Sequence, residues 1–361
     1  MHSERRYDID WLRVISIGLL LIYHIAIFFQ PWANFIGFIR SEQYHDGLWK
    51  FMSMINVWRI PILFYVSGMG VYFAIQNRNV GQLLGDRAVR ILLPYVFGIL
   101  AIVPLHNFIY QKFYGLELSY FAHPGHLWFL GNIIIYISLL FPLFFYLVRN
   151  PENRFRKGLL KIMGKPFGPL LLIPFFVAEV WLLKPGVFAL YAQTAHGYGI
   201  GFLAFLFGFL LVYTGATFWK SILKARYYYL GAAFALYILR LLIFKTEAPH
   251  ALMAIESNLW IFGIFGICYR HLNRKSSVLS YLSKAAYPVY IIHMFVSFGV
   301  AQVIFLTALP TLVQFALIVL FTFIICLGIY ELLLKRIPLL QGLFGMGFKF
   351  KKPALLKTAK S

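Results

Sequence analysis

At 361 residues, with 61% hydrophobic and 12% charged side chains, the chain has about half the charged fraction of an ordinary soluble domain. That excludes a soluble globular fold, and the length accommodates about ten membrane crossings with short connections. A net charge of +21, from 33 basic and 12 acidic residues, would suit nucleic acid in a soluble protein. Here the basic residues cluster in particular loops, so topology and anionic headgroups account for them and nucleic acid is not expected as a partner.

Ten apolar segments lie at about 11–30, 55–76, 91–110, 127–148, 168–183, 199–218, 228–244, 251–269, 286–306 and 312–334. They predict an all-α polytopic membrane protein, a single bundle of about ten transmembrane helices. The N-terminal segment, the connections 77–90, 149–167, 219–227 and 270–285, and the C-terminal tail are rich in Lys and Arg. The connections 31–54, 111–126, 184–198, 245–250 and 307–311 carry far fewer. This alternation predicts that the N-terminus and the C-terminus are both cytoplasmic. Residues 1–340 read as one membrane domain without internal repeat or linker. Residues 341–361 read as a basic cytoplasmic tail, where Lys349, Lys351, Lys352, Lys357 and Lys360 suit anionic headgroups.

Arg5 and Arg6 precede the first apolar run, as in a signal peptide, but the run is too long and no small-x-small cleavage site follows. A retained first helix is predicted. From Tyr7 to Trp32 the chain reads YDIDWLRVISIGLLLIYHIAIFFQPW, almost unbroken apolar sequence that nevertheless carries Asp10, Arg13 and His24. At roughly 100° per residue, Arg13 and His24 fall within about 20° of one direction and roughly 16 Å apart along the axis. Asp10 lies one turn before Arg13 on nearly the same stripe. A polar stripe on a membrane helix must face a protein interior or a wet cavity, so all three are functional candidates. The bland alternative makes Arg13 a positive-inside anchor and His24 a packing residue. It does not require a shared face.

The second segment enters as NVWRIPILFYVSGMG. Trp58 suits an interfacial anchor, and Arg59 either snorkels to the surface or serves a substrate. Ser67, Gly68 and Gly70 allow close helix approach. In DRAVRILLPY, Arg87 and Arg90 are spaced i, i+3, which sets two guanidinium forks on one face for paired phosphates; the positive-inside rule alone would also account for their charge. In HPGHLWFLGN, His123 and His126 have no acidic or Cys partner nearby, so no metal site is expected. His126, Trp128 and Phe129 read either as an external mouth suited to sugar rings or as an aromatic belt.

Glu179, Arg240 and Glu256 sit toward the outer ends of their segments, where they either pair with one another or line the cavity. His293, in AAYPVYIIHMFVSF, is either a satisfied core residue or a functional one, and Glu331 has Lys335 at i+4 for a local pair. Cys268 and Cys326 lie in apolar segments and read as packing residues.

Five of these pieces, taken in order, resemble the integral-membrane acyltransferase type 3 family. YDIDWLRVISIGLLLIYH is similar to that family's opening, in which an Arg is followed by ten residues and a His, the spacing of Arg13 and His24. ILFYVSGMGVYF, DRAVRILLPY and YPVYIIH are similar to its Ser-Gly, Arg-x-x-Arg and Tyr-x-x-His segments. WRIPILFYVSG and GHLWFL resemble the branch of osmoregulated periplasmic glucan succinyltransferases. The resemblance implies an O-acyltransferase of a bacterial inner membrane that moves an acyl group from cytoplasmic acyl-CoA (acetyl-CoA or succinyl-CoA) to a hydroxyl of an extracytoplasmic glycan. It implies His24 as catalytic residue with Asp10 supporting Arg13, and Arg13, Arg87 and Arg90 as donor-binding residues. His126, Trp128 and His293 carry over as substrate-binding positions.

Such a transfer needs a base and stabilisation of an oxyanion, and imidazole is the natural base near neutral pH. A transient acyl-His is the covalent variant of the same chemistry. Arg59 is a candidate for holding a succinyl carboxylate. Two rivals stand against this reading: a transporter of a glycan or organic anion, and a non-catalytic partner in an envelope-assembly complex. A transporter would favour an internal repeat, and none is evident.

Overall fold

Helices supply every regular element of the computed structural model, which describes residues 5–76 and 78–347. They are α1 (Tyr7–Ile27), α2 (Asp46–Gln76), α3 (Val80–Phe113), α4 (Gly125–Arg149), α5 (Arg154–Met163), α6 (Gly168–Leu183), α7 (Ala195–Tyr213), α8 (Ala216–Phe244), α9 (His250–Leu272), α10 (Ser277–Ile304), α11 (Thr311–Leu334) and α12 (Pro338–Leu343). Nine of these are long and apolar enough to cross a membrane; α6, the fifth predicted segment, is shorter. The Lys-rich stretch from Lys349 onward lies outside the described residues.

The connections sort into two ends. At one end Tyr7 N–H donates to Asn273 Oδ1, Arg6 stacks on Trp219 and Tyr269, and Ser221 donates to Lys165 O. The Lys- and Arg-rich connections meet here, and we call it the basic end. At the other, the Tyr110 and Tyr114 hydroxyls donate to Asn34 O and Phe38 O, and Gln193 meets His123 at 3.2 Å. Because α6 joins Lys165 to the connection carrying Gln193, it runs from end to end despite its length.

α1 packs on α2, α9, α10 and α11 and so lies inside the bundle. Acidic Asp8 and Asp10 in its first turn complement the positive N-terminal end of the helix dipole. Glycine sets the closest approach, between α2 and α7. A Cβ on Gly68 would strike Phe205 O, and one on Gly208 would strike Tyr65 O. Small residues at such crossings let membrane helices gain van der Waals contact where no hydrophobic force separates protein from lipid.

Prolines bend this scheme at three informative places. Helix α2 begins at Asp46, nine residues before the predicted boundary at 55, so Pro61 falls inside it rather than at its entrance. A proline there leaves the carbonyl four residues back without its helical donor. That carbonyl belongs to Val57, and Tyr191 Oη–H donates to it at 3.1 Å from the connection 184–194. In α3, wide π turns at Ala88–Leu92 and Gly98–Ile102 each stand two residues ahead of a proline, Pro94 and Pro104. The extra residue per turn relieves the clash between the ring and the preceding turn.

One ion pair and one carboxylate–imidazole hydrogen bond are sealed inside the bundle among the described residues. Arg240 grips Glu256 through two hydrogen bonds, Nε to Oε2 at 2.8 Å and Nη2 to Oε1 at 2.9 Å, and also donates to Ser53 O and Thr246 O. Glu179 accepts from His196 Nδ1 at 2.9 Å. Removing one partner of such a pair strands the other in a dry interior. Glu256→Ala is therefore expected to destabilise the fold by about 3–5 kcal/mol, read as a lowered thermal midpoint in detergent; an unchanged midpoint would deny the pair this role.

Candidate functional site

A cavity of about 840 Å³ opens among α1, α2, α3, α4, α10, α11 and the connection 184–194. Arg13, Ile17, Leu20, His24 and Ile27 line it from α1, at intervals of four and three that define one helical face. Arg13, Arg87, Arg90, Lys284 and Lys335 make its wall cationic toward the basic end. Farther along stand His24, Arg59, His126, Trp128 and Tyr191.

The Arg13 guanidinium extends opposite Gly70, where a Cβ would come within 3.6 Å of Nη2. Its nearest carboxylate is Asp10, with Nη1 3.8 Å from Oδ1. Asp10 itself is held more closely by Arg5, through Nε at 3.0 Å and Nη2 at 2.9 Å to Oδ2. Asp10 is also missing from the cavity wall. The helical stripe is real, yet the flexible Arg5 captures the carboxylate while Arg13 reaches into the cavity. Asp10 thus gives Arg13, which it was expected to support, only a long contact.

Arg87 and Arg90 both face the cavity, although the π turn between them alters their spacing. Arg87 Nε is buried and has no hydrogen-bond partner among the described residues. Arg90 is half-engaged by Asp86, 3.7 Å away, and Asp86 is also bound by Arg78 at 3.1 Å.

The histidines form the second group. His24 is half-buried, with its Nδ1 2.9 Å from Nε2 of His293 and the two rings edge to edge and nearly coplanar, at an interplanar angle of 4°. His293 is fully buried behind it, and its Nδ1 donates to Tyr290 O at 2.6 Å. His126 Nε2–H donates to Ile291 O at 3.0 Å, which leaves Nδ1 buried and unpartnered. Its ring centre lies 5.0 Å from that of His293. His126 therefore belongs to an inner cluster rather than to an external mouth. The reason is Tyr290, whose hydroxyl donates to His126 O at 2.5 Å and pins the start of α4 to α10. His123 instead turns to Gln193 and to Gly125 N–H. Trp128 is buried against Phe64 with one face on the cavity. Among the described residues no cluster of three or more metal-ligating side chains occurs.

Arg59 does not snorkel. It is only 3% exposed, because α2 starts early enough to carry position 59 well inside the bundle. Its guanidinium lies 3.7 Å over the Tyr23 ring, and Nη2 donates to Asn56 Oδ1 at 2.8 Å. Nε and Nη1 are buried with no partner among the described residues. The contrast with Arg240 is informative: one buried arginine has its carboxylate, and the other faces the cavity without one.

Four wall residues had little or no sequence signal: Tyr191, Lys284, Tyr287 and Lys335. Lys335 does pair with Glu331, at 2.6 Å, and also lines the cavity. Lys284 and Tyr287 sit just before Pro288 on α10, and only the packing of α10 against α1 and α3 brings them here. Burial pushes the Tyr191 phenol well above its usual pKa, against the pull of Arg59, so it stays a neutral donor to Val57 O.

Among known families, residues 6–331 match a family model described as an acyltransferase domain. No curated protein and no solved structure matches the chain.

Proposed function

The chain belongs to the acyltransferase type 3 family through residues 6–331, and on that premise we propose that it is an O-acyltransferase moving an acyl group from acyl-CoA to a hydroxyl of a glycan. In this reading the basic end is cytoplasmic and receives the donor, as the positive-inside rule asks, in a multi-pass protein of a bacterial inner membrane. Glycan hydroxyls arrive from the opposite end. One observation carries the reading: Arg13 and His24 occupy one face of α1 in a single cavity whose far portion is ringed by cations.

Arg87, Arg90 and Arg13 bind the phosphates of the donor, since guanidinium forks match phosphate oxygens. The pantetheine arm then follows the Arg13–His24 face, roughly 16 Å along the helix axis. His24 Nε2 takes the proton of the sugar hydroxyl as its oxygen attacks the thioester carbonyl. The tetrahedral adduct collapses with loss of the C–S bond, and His24 returns the proton to the departing sulfur. His126 Nδ1, a buried acceptor, receives a second sugar hydroxyl, and Trp128 offers a ring face.

Arg59 binds an acidic substituent of the transferred group, the carboxylate of a succinyl donor, because its unpaired donors need an anion. A charge-assisted pair of this kind contributes about 1.5–3 kcal/mol. Arg59→Gln should then reduce succinyl transfer roughly 10- to 100-fold more than acetyl transfer; equal losses with both donors would remove that assignment.

The direct test uses purified protein, radiolabelled acetyl-CoA or succinyl-CoA and a glucan acceptor, followed by recovery of labelled ester. Absence of labelled ester with both donors would reject the proposal.

A further inference from the structure

The hydrogen bonds behind His24 fix its tautomer. His293 Nδ1 lies 2.6 Å from Tyr290 O, and a carbonyl oxygen can only accept. Nδ1 of His293 therefore carries its proton, and in the neutral ring Nε2 is left as an acceptor. That acceptor lies 2.9 Å from His24 Nδ1, so His24 must donate to it. The remaining nitrogen of His24, Nε2, then holds a lone pair, makes no hydrogen bond among the described residues and belongs to a side chain that lines the cavity. The two rings are nearly coplanar, 4° between planes, and the bond between them runs in that common plane, which holds that nitrogen in one direction.

We infer that His293 is a positioning residue: it sets the tautomer and aim of His24 and is not itself a substrate contact. Two further observations agree. His293 is absent from the cavity wall, although His24 and His126 on either side of it are present. It is also only 1% exposed. The chain of hydrogen bonds ends on a main-chain carbonyl, which has no proton-accepting role beyond the bond it already receives. Protons cannot pass through His293 and onward. The proton that His24 gains on Nε2 must leave from Nε2, which directs it from the attacking hydroxyl to the leaving sulfur and nowhere else.

This inference rests on the proposed acyl transfer, and the test keeps the two apart. His293→Phe keeps a ring and loses the acceptor, His293→Gln restores an oxygen near the place of Nε2, and His293→Asn puts one near Nδ1 instead. Expected with His293→Phe is a fall in kcat of roughly 100-fold or more, with donor KM within about threefold of the parent. Gln should regain at least about tenfold of that loss, and Asn should not. Nitrogen-15 NMR of histidine-labelled protein gives a reading independent of turnover: His24 protonated on Nδ1 in the parent, with that preference lost in His293→Phe. The inference is overturned if His24 carries its proton on Nε2 in the parent, if His293→Phe retains kcat, or if Gln and Asn behave alike. If the parent protein transfers no acyl group while the NMR pattern holds, the acyl-transfer reading fails and the positioning of His24 stands.

Discussion

His24→Ala is expected to lower acyl transfer by roughly 100- to 10,000-fold, the range that a positioned general base contributes, with the protein still folded. The loss is large because His24 brings the proton acceptor and its orientation together. His126 does not replace it in this reading, since its Nε2 is committed to Ile291 O and its Nδ1 is assigned to a second sugar hydroxyl. The fold should survive because the substitution removes one hydrogen bond and leaves only His293 Nε2 without a partner, a penalty of about 1–3 kcal/mol. The measurement is kcat at saturating donor and acceptor, paired with the thermal midpoint of the same preparation. Turnover equal to the parent's would dismiss His24 as the base. A collapsed midpoint would instead make it a packing residue, the bland alternative that the sequence left open.

The shared face of Arg13 and His24 was legible because two polar side chains on an apolar background report the 3.6-residue period directly. Their cavity was also anticipated in kind, since a membrane helix has no other place for such a stripe. What joins His24 to His293 was not legible, because 269 residues separate them and nothing local to either marks the other. The same holds for Tyr191, whose role follows from the Val57 carbonyl that Pro61 leaves open in another segment. Arg59 was ambiguous for a different reason. Its fate depended on where α2 begins, and helix starts are poorly marked when the flanking sequence (LWKFMSMIN) is itself amphipathic. Asp10 shows the limit of stripe reasoning: spacing places a carboxylate near Arg13, but it does not reveal that Arg5 is closer.

Arg87→Ala should raise the KM for acyl-CoA about tenfold or more, and the Arg87→Ala, Arg90→Ala pair about 100-fold or more, with kcat changed little. Each guanidinium is assigned to a phosphate, and hydrogen bonds to charged groups contribute about 1.5–3 kcal/mol apiece. The two arginines are not equivalent. Arg90 already shares Asp86 with Arg78, so part of its charge is answered within the protein. Arg87 has a buried Nε without a partner and gains more from a phosphate. The Arg87 substitution should therefore have the larger effect, and added salt should weaken donor binding in the parent more than in the double variant. A donor lacking the 3′-phosphate supplies the internal control, since it should narrow the gap between parent and variants. Both substitutions lie far along the cavity from His24, so a fall in kcat at unchanged KM would mean that they hold α3 in place rather than bind the donor. That result would move the phosphate site to Lys284, Lys335 and Arg13, the remaining cations of the same wall.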